Sequence, residues 1–382
     1  MKDRLVKFRR EIHMNPELSG NEKDTAAFIA GILEANDIEV KRGVGGHGVV
    51  GILRGRLEGK TIALRADMDA LPIQDKKDVD YASKVPGVMH ACGHDVHTTV
   101  LLGAAITLGS VRERLKGSVK FIFQPAEEIT TGAESMIKEG VLEDPVPSAI
   151  VALHCFPELQ VGTVGHRPGM MTAAADRIKI VVNGRSGHAS RPHQTVDAVL
   201  VSSMMINALH HIVSRRTDPL QPSVISIGTI KGGTAENIVA DHVEMEGTVR
   251  TLDLKLRERM PTLIEDVVKG IAGAMGAKYK FSYSFDCPSV SNDKEVDNLV
   301  SQCASQVIGD DKVILLNEPM MGSEDFALFT EKIPGALFRL GTGNADNGIT
   351  SSLHNSSFDV DEESLFVGTE LMAWIAVNYL ES

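Results

Sequence analysis

The sequence predicts an α/β protein in which a mixed sheet, with helices on both faces, carries an inserted α+β domain of four strands. The chain has 382 residues, which is more than one hydrophobic core usually serves, so two domains are expected. Strand-like and helical segments alternate as far as residue 153, a pattern typical of a parallel or mixed sheet covered by helices. Beyond Met171 the strand-like segments alternate polar and apolar residues, which is typical of half-exposed antiparallel strands.

The first domain is predicted to begin with helices and to continue as alternating strands and helices. Two apolar series at helical spacing, separated by a break at Pro16, predict helix within residues 1–40. The elements predicted after them are strands at 48–53 and 61–65, a helix at 98–108, a strand at 118–123, a helix at 133–139 and a strand at 149–153. This order favours a sheet whose parallel strands end at one common edge.

The second domain is predicted at residues 174–286. Its elements are a strand at 177–182, a helix at 197–215, strands at 223–230 and 242–251, a helix at 254–275 and a strand at 278–285. Four strands and two helices of this length make an α+β domain of ordinary size. Helix and strand patterns return after residue 287, where residues 336–340 are strongly apolar, so 1–173 and 287–382 are assigned to the first domain.

The composition favours a soluble globular protein and disfavours several kinds of partner. Hydrophobic residues make up 43% and charged residues 24% of the chain, which is an ordinary globular mixture. A formal net charge of -12 argues against binding to nucleic acid or to an anionic membrane surface. No apolar run approaches the roughly 18 residues of a membrane helix, and no apolar signal core follows Met1. The four cysteines show no CxxC spacing, so the cytoplasm is the expected location.

Potential metal ligands are concentrated in the segment that contains His90, Cys92, His94, Asp95 and His97. Thiolate and neutral imidazole are preferred ligands of zinc and its first-row neighbours. Only Gly93 separates Cys92 from His94, so both side chains can face one ion from a loop. The alternative interpretation of Cys92 is a small buried residue, which the nearby histidines disfavour.

Further polar side chains follow the predicted strands. Acidic pairs or a histidine stand after three of them, at Asp67 and Asp69, Glu127 and Glu128, and His154. In open α/β sheets ligands bind at the carboxyl ends of the strands, so these side chains are expected at one edge. Each also has an ordinary interpretation, because acidic pairs are common after strands and a histidine at a strand end is often only hydrogen-bonded.

Matching motifs run in order through nearly the whole chain, at residues 10–13, 16–18, 65–72, 90–97, 124–128, 187–189, 237, 247–250, 322–326 and 353–355. Together they resemble the M20 metallopeptidases, and within them the bacterial and plant amidohydrolases that cleave N-acyl amino acids. The resemblance implies an aminopeptidase-like catalytic domain with an inserted lid and dimerisation domain. One departure is residues 129–132, where relatives often carry Gly-Pro-Gly-Gly, so substrate preference is expected to differ.

The resemblance implies a site for two divalent ions, which can be manganese, zinc, cobalt or nickel. Cys92 would bridge the ions, with His94 and Glu128 completing one set of ligands and His154 and His354 the other. Two adjacent ions lower the pKa of a shared water and position the substrate. Alone, His354 would be interpreted as a surface loop residue.

The resemblance also assigns roles to residues that do not bind metal. Glu127 would act as general base and acid, and Asp69 would orient a ligand, with a structural role in the turn as the alternative for Asp69. His188 would stabilise the oxyanion in the active site of the other subunit of a homodimer. Asn237 and Arg250 would bind the carboxylate of the amino acid. As isolated residues, these last three would be interpreted as ordinary polar positions.

The expected function is hydrolysis of N-acyl amino acids, small-molecule substrates, to a carboxylic acid and a free amino acid. A competing hypothesis is a cysteine hydrolase that uses Cys92 as nucleophile with His94 or His97 as base. A non-catalytic binding protein or a metal buffer are further alternatives. The glutamate pair has no role in the cysteine mechanism, and none of the residues expected for catalysis is missing.

Overall fold

A mixed sheet of eight strands is the framework of the larger part of the protein. The computed structural model describes residues 1–382. The chain divides into a larger unit, formed by Met1–Met171, Val290–Pro319 and Glu324–Ser382, and a smaller unit, formed by Thr172–Ser289 and Met320–Ser323. The predicted α/β class, a mixed sheet with helices and a second α+β unit, is confirmed.

The bounds of the regular elements are as follows, in chain order. The helices are α1 (Lys2–Met14), α2 (Lys23–Glu34), α3 (His94–Ser110), α4 (Gly132–Lys138), α5 (Ala198–Arg215), α6 (Leu254–Met275), α7 (Lys294–Ile308), α8 (Ala327–Thr330) and α9 (Ser364–Glu381). The strands are β1 (Glu39–Val44), β2 (Gly48–Arg54), β3 (Leu57–Asp67), β4 (Lys116–Gln124), β5 (Ala149–Gln160), β6 (Val164–His166), β7 (Gly169–Met170), β8 (Ala174–Asn183), β9 (Gly187–His188), β10 (Ser223–Gly232), β11 (Ile238–Val239), β12 (His242–Thr251), β13 (Lys278–Cys287), β14 (Ser291–Asn292), β15 (Val313–Leu315) and β16 (Gly335–Gly343).

The centre of the large sheet is parallel, and this arrangement gathers polar strand ends at one edge. The strand order is β1-β2-β4-β3-β5-β16-β6-β15, and β4, β3, β5 and β16 run parallel to one another. Asp67 pairs with Gln124 across β3 and β4, and His154 pairs with Arg339 across β5 and β16. The carboxyl ends of these strands therefore meet at one edge, as in other open α/β sheets.

Two hydrophobic cores cover the two faces of this sheet. On one face α1, α2, α3, α7 and α9 pack over a core that includes Leu64, Phe121 and Leu153. On the other face α4 and α8 pack over a core that includes Ile122 and Ala152. The alternation of these residues along each strand is the period of two that places successive side chains on opposite faces.

Helix α3 is apolar around most of its circumference and is almost completely buried. A helix of this kind belongs in a core rather than at a surface. Its close approach to α9 depends on Gly103, where an added Cβ would lie 2.6 Å from Thr369 Oγ1. The helix begins at His94, four residues before the predicted start, because the polar residues of its first turn are themselves buried.

The smaller unit is an antiparallel sheet in the order β10-β12-β8-β13. Helices α5 and α6 pack on it around a core that includes Ile180, Met245 and Ile264. Each helix has an aspartate cap, because Asp197 accepts from Val199 N–H and Asp253 accepts from Leu256 N–H. None of the helices in the protein is long and apolar enough to cross a membrane.

Candidate metal centre

The candidate metal ligands of the larger unit lie at the carboxyl edge of its parallel strands. Cys92 stands in the loop before α3, and His94 is the first residue of that helix. Glu128 follows β4, and His154 lies in the middle of β5, two residues beyond the part of that strand that pairs with β3. The donor atoms that these separate segments provide are grouped closely enough to share ions.

Two groups of donors share the thiol of Cys92. One group is Cys92, His94 and His154, and the other is Cys92, Glu128 and His354, with the donor atoms of each group within 4.8 Å of one another. Cys92 Sγ lies 3.5 Å from His154 Nε2, and His354 Nε2 lies 3.6 Å from Glu128 Oε1. A thiol common to both groups is in the position of a bridging ligand.

This grouping differs from the one that the sequence resemblance implies. There, Glu128 was paired with His94, and His154 with His354. In the structure His154 lies beside the Cys92 thiol and Glu128 lies beside His354, while Glu128 also forms a group with His94 and Glu127 whose donor atoms are within the same 4.8 Å of one another. His94 Nε2 is still 3.8 Å from Glu128 Oε1, so the two groups lie side by side.

The free donor atoms of this cluster fit divalent ions. His94 Nε2 and Glu128 Oε1 are buried and have no hydrogen-bond partner in the protein, which is costly unless a ligand binds them. His154 donates from Nδ1 to the backbone oxygen of Cys155 at 2.8 Å, so its Nε2 keeps a lone pair. A thiolate, imidazoles and a carboxylate together suit zinc, manganese, cobalt or nickel.

Asp69 holds ligands of both groups in position. Its Oδ1 lies 3.1 Å from His94 Nδ1, and its Oδ2 accepts from Glu128 N–H at 3.0 Å and from Ser19 Oγ at 2.7 Å. A carboxylate bound to the second nitrogen of a ligand histidine fixes the orientation of the ring and makes the ligand more basic. The structure thus places Asp69 behind the ligands and not among them.

His97 is a third buried histidine at this edge, but its two nitrogens are both occupied. The backbone N–H of Cys155 donates to Nε2 at 2.8 Å, so the ring proton must reside on Nδ1, which lies 2.6 Å from Asp67 Oδ1. His97 therefore has no lone pair for an ion. It packs between the rings of His94 and His154, with centroid distances of 5.3 and 4.7 Å, and supports both.

Glu127 has the surroundings of a proton-transfer group. Its side chain is only 7% exposed, and its carboxylate accepts no hydrogen bond within the protein. Burial raises its pKa well above the ordinary value, and the neighbouring Glu324 and Asp325 raise it further. Arg65 Nη2 forms ion pairs with Glu324 at 3.0 Å and with Asp325 at 3.1 Å. A buried glutamate with a raised pKa is suited to take up and release a proton near neutral pH.

Two non-glycine residues beside the site have left-handed backbone conformations. Ala126, which precedes the glutamate pair, has φ 55°, and His354 has φ 59°. The backbone N–H of Ala126 donates to Glu22 Oε1 at 2.8 Å, and that of His354 donates to the Ala91 oxygen at 2.8 Å. Such strained residues are concentrated at functional sites and persist only where the surroundings hold them.

Three of the five candidate metal ligands have raised pKa values in the metal-free protein. Burial, followed by Glu128 and Glu127, raises the pKa of the Cys92 thiol well above its ordinary value. Burial raises the pKa of Glu128 to about 7. Burial alone would lower the pKa of His94, but Asp67 and Asp69 overcome it and raise the pKa to about 10. A divalent cation must displace these protons in order to bind.

We therefore expect metal binding to release protons and to tighten as the pH rises. His94 is protonated below its raised pKa, so metal affinity falls when the pH falls, by roughly tenfold per pH unit for each proton displaced between about pH 6 and 9. Calorimetric titration with manganese in two buffers of different ionisation enthalpy measures the number of protons released. Identical binding enthalpies in both buffers would contradict this expectation.

The remaining candidate residues lie in the smaller unit, where two of them are brought together. His188 in β9 is the register partner of Ile238 in β11, and Ala189 N–H donates to the backbone oxygen of Asn237 at 3.0 Å. Ser190 N–H donates to His188 Nδ1 at 3.1 Å. In the neutral ring the proton is then on Nε2, which is the form that can donate to an oxyanion.

Arg250 lies in β12 of the four-stranded sheet, whereas His188 and Asn237 lie in or next to the separate two-stranded sheet of β9 and β11. Arg250 Nη1 donates to Ser323 Oγ at 2.7 Å. Residues that the sequence did not single out, namely Glu22, Arg65, Glu324 and Asp325, surround the glutamate pair. The last three stand within matched motifs at 65–72 and 322–326, which is the one signal that could have pointed to them.

Comparison with known proteins shows the context of this site. Residues 63–378 match the sequence model of the family described as Peptidase family M20/M25/M40. N-acetylcysteine deacetylase of Bacillus subtilis is 42% identical over 385 residues, which cover 99% of this chain and 97% of that protein. IAA-amino acid hydrolase ILR1-like 4 of Arabidopsis thaliana is 38% identical over 382 residues, which cover 99% of this chain and 86% of that protein. The structure of Bacillus subtilis YXEP, described as a dinuclear metal binding peptidase from M20 family, has a TM-score of 0.86 and 38% identity over 100% of this chain and 98% of that one.

Proposed function

We propose that this chain, which belongs to peptidase family M20/M25/M40, is a metal-dependent hydrolase that cleaves N-acyl amino acids to a carboxylic acid and a free amino acid. The family resemblance found in the sequence is confirmed. The observation that carries the proposal is the pair of donor groups that share Cys92, with the buried carboxyl of Glu127 among the neighbouring donors. Relatives named as a deacetylase and as an amino-acid conjugate hydrolase support this substrate class.

Two divalent ions are the cofactors in this proposal. His94 and His154 would hold one ion and Glu128 and His354 the other, with Cys92 between them. When bound, such a pair polarises the amide carbonyl and lowers the pKa of a water. We propose manganese, zinc, cobalt or nickel, since each accepts this mixture of thiolate, imidazole and carboxylate.

Glu127 is the general base and acid of the proposed reaction. It takes a proton from the attacking water and delivers that proton to the nitrogen of the scissile amide. The raised pKa of its carboxyl, caused by burial and by Glu324 and Asp325, favours both steps, because a base with an ordinary pKa would hold the proton too weakly. Asp69 keeps His94 and Glu128 aligned during the reaction.

His188, Asn237 and Arg250 complete the proposed site. His188 would donate from Nε2 to the oxyanion, in the active site of the partner subunit of a homodimer. Asn237 and Arg250 would bind the carboxylate of the amino acid, a task that suits a planar guanidinium. The smaller unit thus serves as a lid and dimerisation domain in this proposal.

The proposed dimer surface combines a helix and a sheet edge of the smaller unit. Helix α5 exposes Val199, Leu200 and Met204, and β10, an edge strand, exposes Val224 and Ile230. Apolar side chains grouped in this way are typical of protein interfaces, and an edge strand is free to pair with a second copy. This combination supports a homodimer formed through α5 and β10.

The variant Leu200→Asp tests this surface. We expect a shift from dimer to monomer, because the side chain is 49% exposed on the proposed interface and a buried charge without a partner is unfavourable there. Turnover should fall together with the dimer fraction, since His188 acts across the interface. Light scattering after size exclusion measures the mass. The control variant Val146→Asp, at an apolar residue that is 70% exposed in the larger unit, should remain dimeric, and a dimeric Leu200→Asp would exclude the interface.

The competing cysteine mechanism is disfavoured by the surroundings of Cys92. A nucleophilic cysteine needs a depressed pKa, whereas burial and two glutamates raise the pKa of this thiol. A binding protein or a metal buffer would not need a proton-transfer group, whereas Glu127 has the raised pKa of such a group. All four cysteines are free and buried, which supports the reducing cytoplasm as the proposed location.

The test of the proposed function is amine release from N-acetyl and N-benzoyl amino acids. Chelator-treated protein should be inactive, and added manganese or zinc should restore turnover. Activity that persists without metal and disappears after alkylation of Cys92 would instead support the cysteine mechanism. Folded, metal-loaded protein that hydrolyses none of these amides would overturn the proposed function.

A further inference from the structure

Arg339 carries a buried cation that no group of the protein pairs with. The residue is only 4% exposed, and its guanidinium makes no hydrogen bond or ion pair within the chain. Its Nε is fully buried without an acceptor. The guanidinium lies over the ring of Phe156, with Cζ 5.8 Å from the ring centroid, but a ring face does not replace in-plane acceptors for its N–H groups. Burying an unpaired charge in this way is costly.

The other buried arginines of the protein show what is missing at Arg339. Arg9 contacts Asp95, Asp359 and Glu362. Arg65 contacts Asp67, Glu324 and Asp325. Arg257 contacts Asp176. Arg339 therefore stands apart as a buried guanidinium whose anionic partner is not part of the chain.

The position of Arg339 places it beside the metal centre. It lies in β16, and its register partner in the neighbouring parallel strand β5 is the candidate ligand His154. Register partners on adjacent strands project from the same face of a sheet, so the guanidinium and the imidazole share one face. Phe156, over whose ring the guanidinium lies, is only two residues from His154 in β5, which agrees with this proximity.

The chemistry of the unpaired group indicates what it binds. A guanidinium with free N–H donors fits a carboxylate through two parallel hydrogen bonds. In the proposed function Asn237 and Arg250 already bind the α-carboxylate of the amino acid. We propose that Arg339 binds a second carboxylate of the substrate, so that the preferred N-acyl amino acid carries an anionic group in its acyl part or in its side chain. This inference rests on the proposed function.

A purely structural role predicts the opposite effect on stability. If Arg339 supported the fold, Arg339→Met would lower the melting temperature. If Arg339 instead binds a ligand, the ligand-free Arg339→Met variant should be as stable as the ligand-free wild type or more stable, because an apolar side chain replaces an unpaired charge. Lys120→Met is the matched control. Lys120 is also a buried cation of the large sheet, but it donates to the backbone oxygens of Val141 and Glu143, so its loss should lower the melting temperature.

The selectivity test uses metal-loaded full-length protein and two charged substrates with neutral counterparts. N-succinyl-L-alanine is compared with N-butyryl-L-alanine, and N-acetyl-L-glutamate with N-acetyl-L-glutamine. We expect the wild type to prefer the charged member of one pair, which identifies whether the second carboxylate belongs to the acyl part or to the side chain. Arg339→Met should reduce that preference in kcat/KM by about 10- to 100-fold, the range of a hydrogen-bonded charge pair, and Lys120→Met should keep it.

Binding without turnover gives an independent readout. Succinate should raise the melting temperature of the metal-loaded wild type more than butyrate does, and Arg339→Met should remove the difference. The inference is overturned if neither charged substrate is preferred and succinate binds no better than butyrate. It is also overturned if Arg339→Met slows all four substrates equally or destabilises the protein as Lys120→Met does. If no amide is hydrolysed at all, the proposed function fails, and the comparison of succinate with butyrate still decides the role of Arg339.

Discussion

Replacing Glu127 with glutamine is expected to lower kcat for amide hydrolysis by about 10²- to 10⁴-fold, the usual contribution of a general acid–base group. Glutamine keeps the shape of the side chain but can neither accept the proton of the attacking water nor return it to the leaving nitrogen. The substitution does not touch the donor groups that share Cys92. Both ions should therefore remain bound, which elemental analysis of the purified variant would measure beside its turnover.

Glu324→Gln is the matched control for this experiment, because it changes a neighbouring carboxylate that contacts Arg65 instead of the reacting atoms. The charge of Glu324 raises the pKa of Glu127. Its removal should therefore lower that pKa and move the acidic limb of the rate profile to lower pH, while the maximal rate changes little. Unchanged turnover in Glu127→Gln would remove Glu127 from the mechanism.

Replacing Cys92 with alanine is expected to have the second large effect. The thiol is the donor that both groups share, so its loss should weaken both ions together, and turnover at a fixed metal concentration should fall by about 10³-fold or more. The measurement is metal content and kcat/KM of the variant at several concentrations of added manganese. Higher metal concentrations should restore part of the activity.

Cys155→Ala is the control for this substitution. Cys155 is also a free buried cysteine, and it lies beside His154, but its thiol belongs to neither donor group. The control should keep both its metal and its activity. If Cys92→Ala binds metal as tightly as the wild type yet is inactive, the thiol acts in the reaction itself, and the cysteine mechanism returns.

The architecture could largely be predicted from the sequence, because long elements have clear periodicities. The alternation of strands and helices before residue 153 indicated the mixed sheet, and the buried strands β3, β4 and β5 all lie at predicted positions. Short strands such as β6, β7 and β15 were not predicted, since two or three residues carry no pattern. The predicted start of α3 is four residues too late because its first turn contains the polar residues His94, Asp95 and His97, which are buried and interrupt the apolar pattern.

The kinds of residue at the site could also be predicted, but not their arrangement. Cys92 and His94 are close in sequence, whereas His154 reaches the same thiol only because β5 lies in the parallel sheet. The sharing of ligands between the two groups depends on such distances, and the sequence does not contain them. The proton position on His97 depends on a backbone N–H of Cys155, which no motif reveals.

Arg339 is a feature of the site that the sequence pattern does not reveal. It stands within residues 336–340, a run whose other members are apolar, and the pattern of that run correctly indicates a buried strand. The average hydrophobicity of the run is high in spite of the one charged side chain in it. Only the structure shows that this charge has no partner in the protein.

The measurement that tests the central claim most directly is anomalous diffraction from crystals loaded with manganese or zinc. Two peaks are predicted on either side of Cys92 Sγ, one beside His94 and His154 and the other beside Glu128 and His354. A single ion, or two ions that do not share Cys92, would contradict the proposed metal centre.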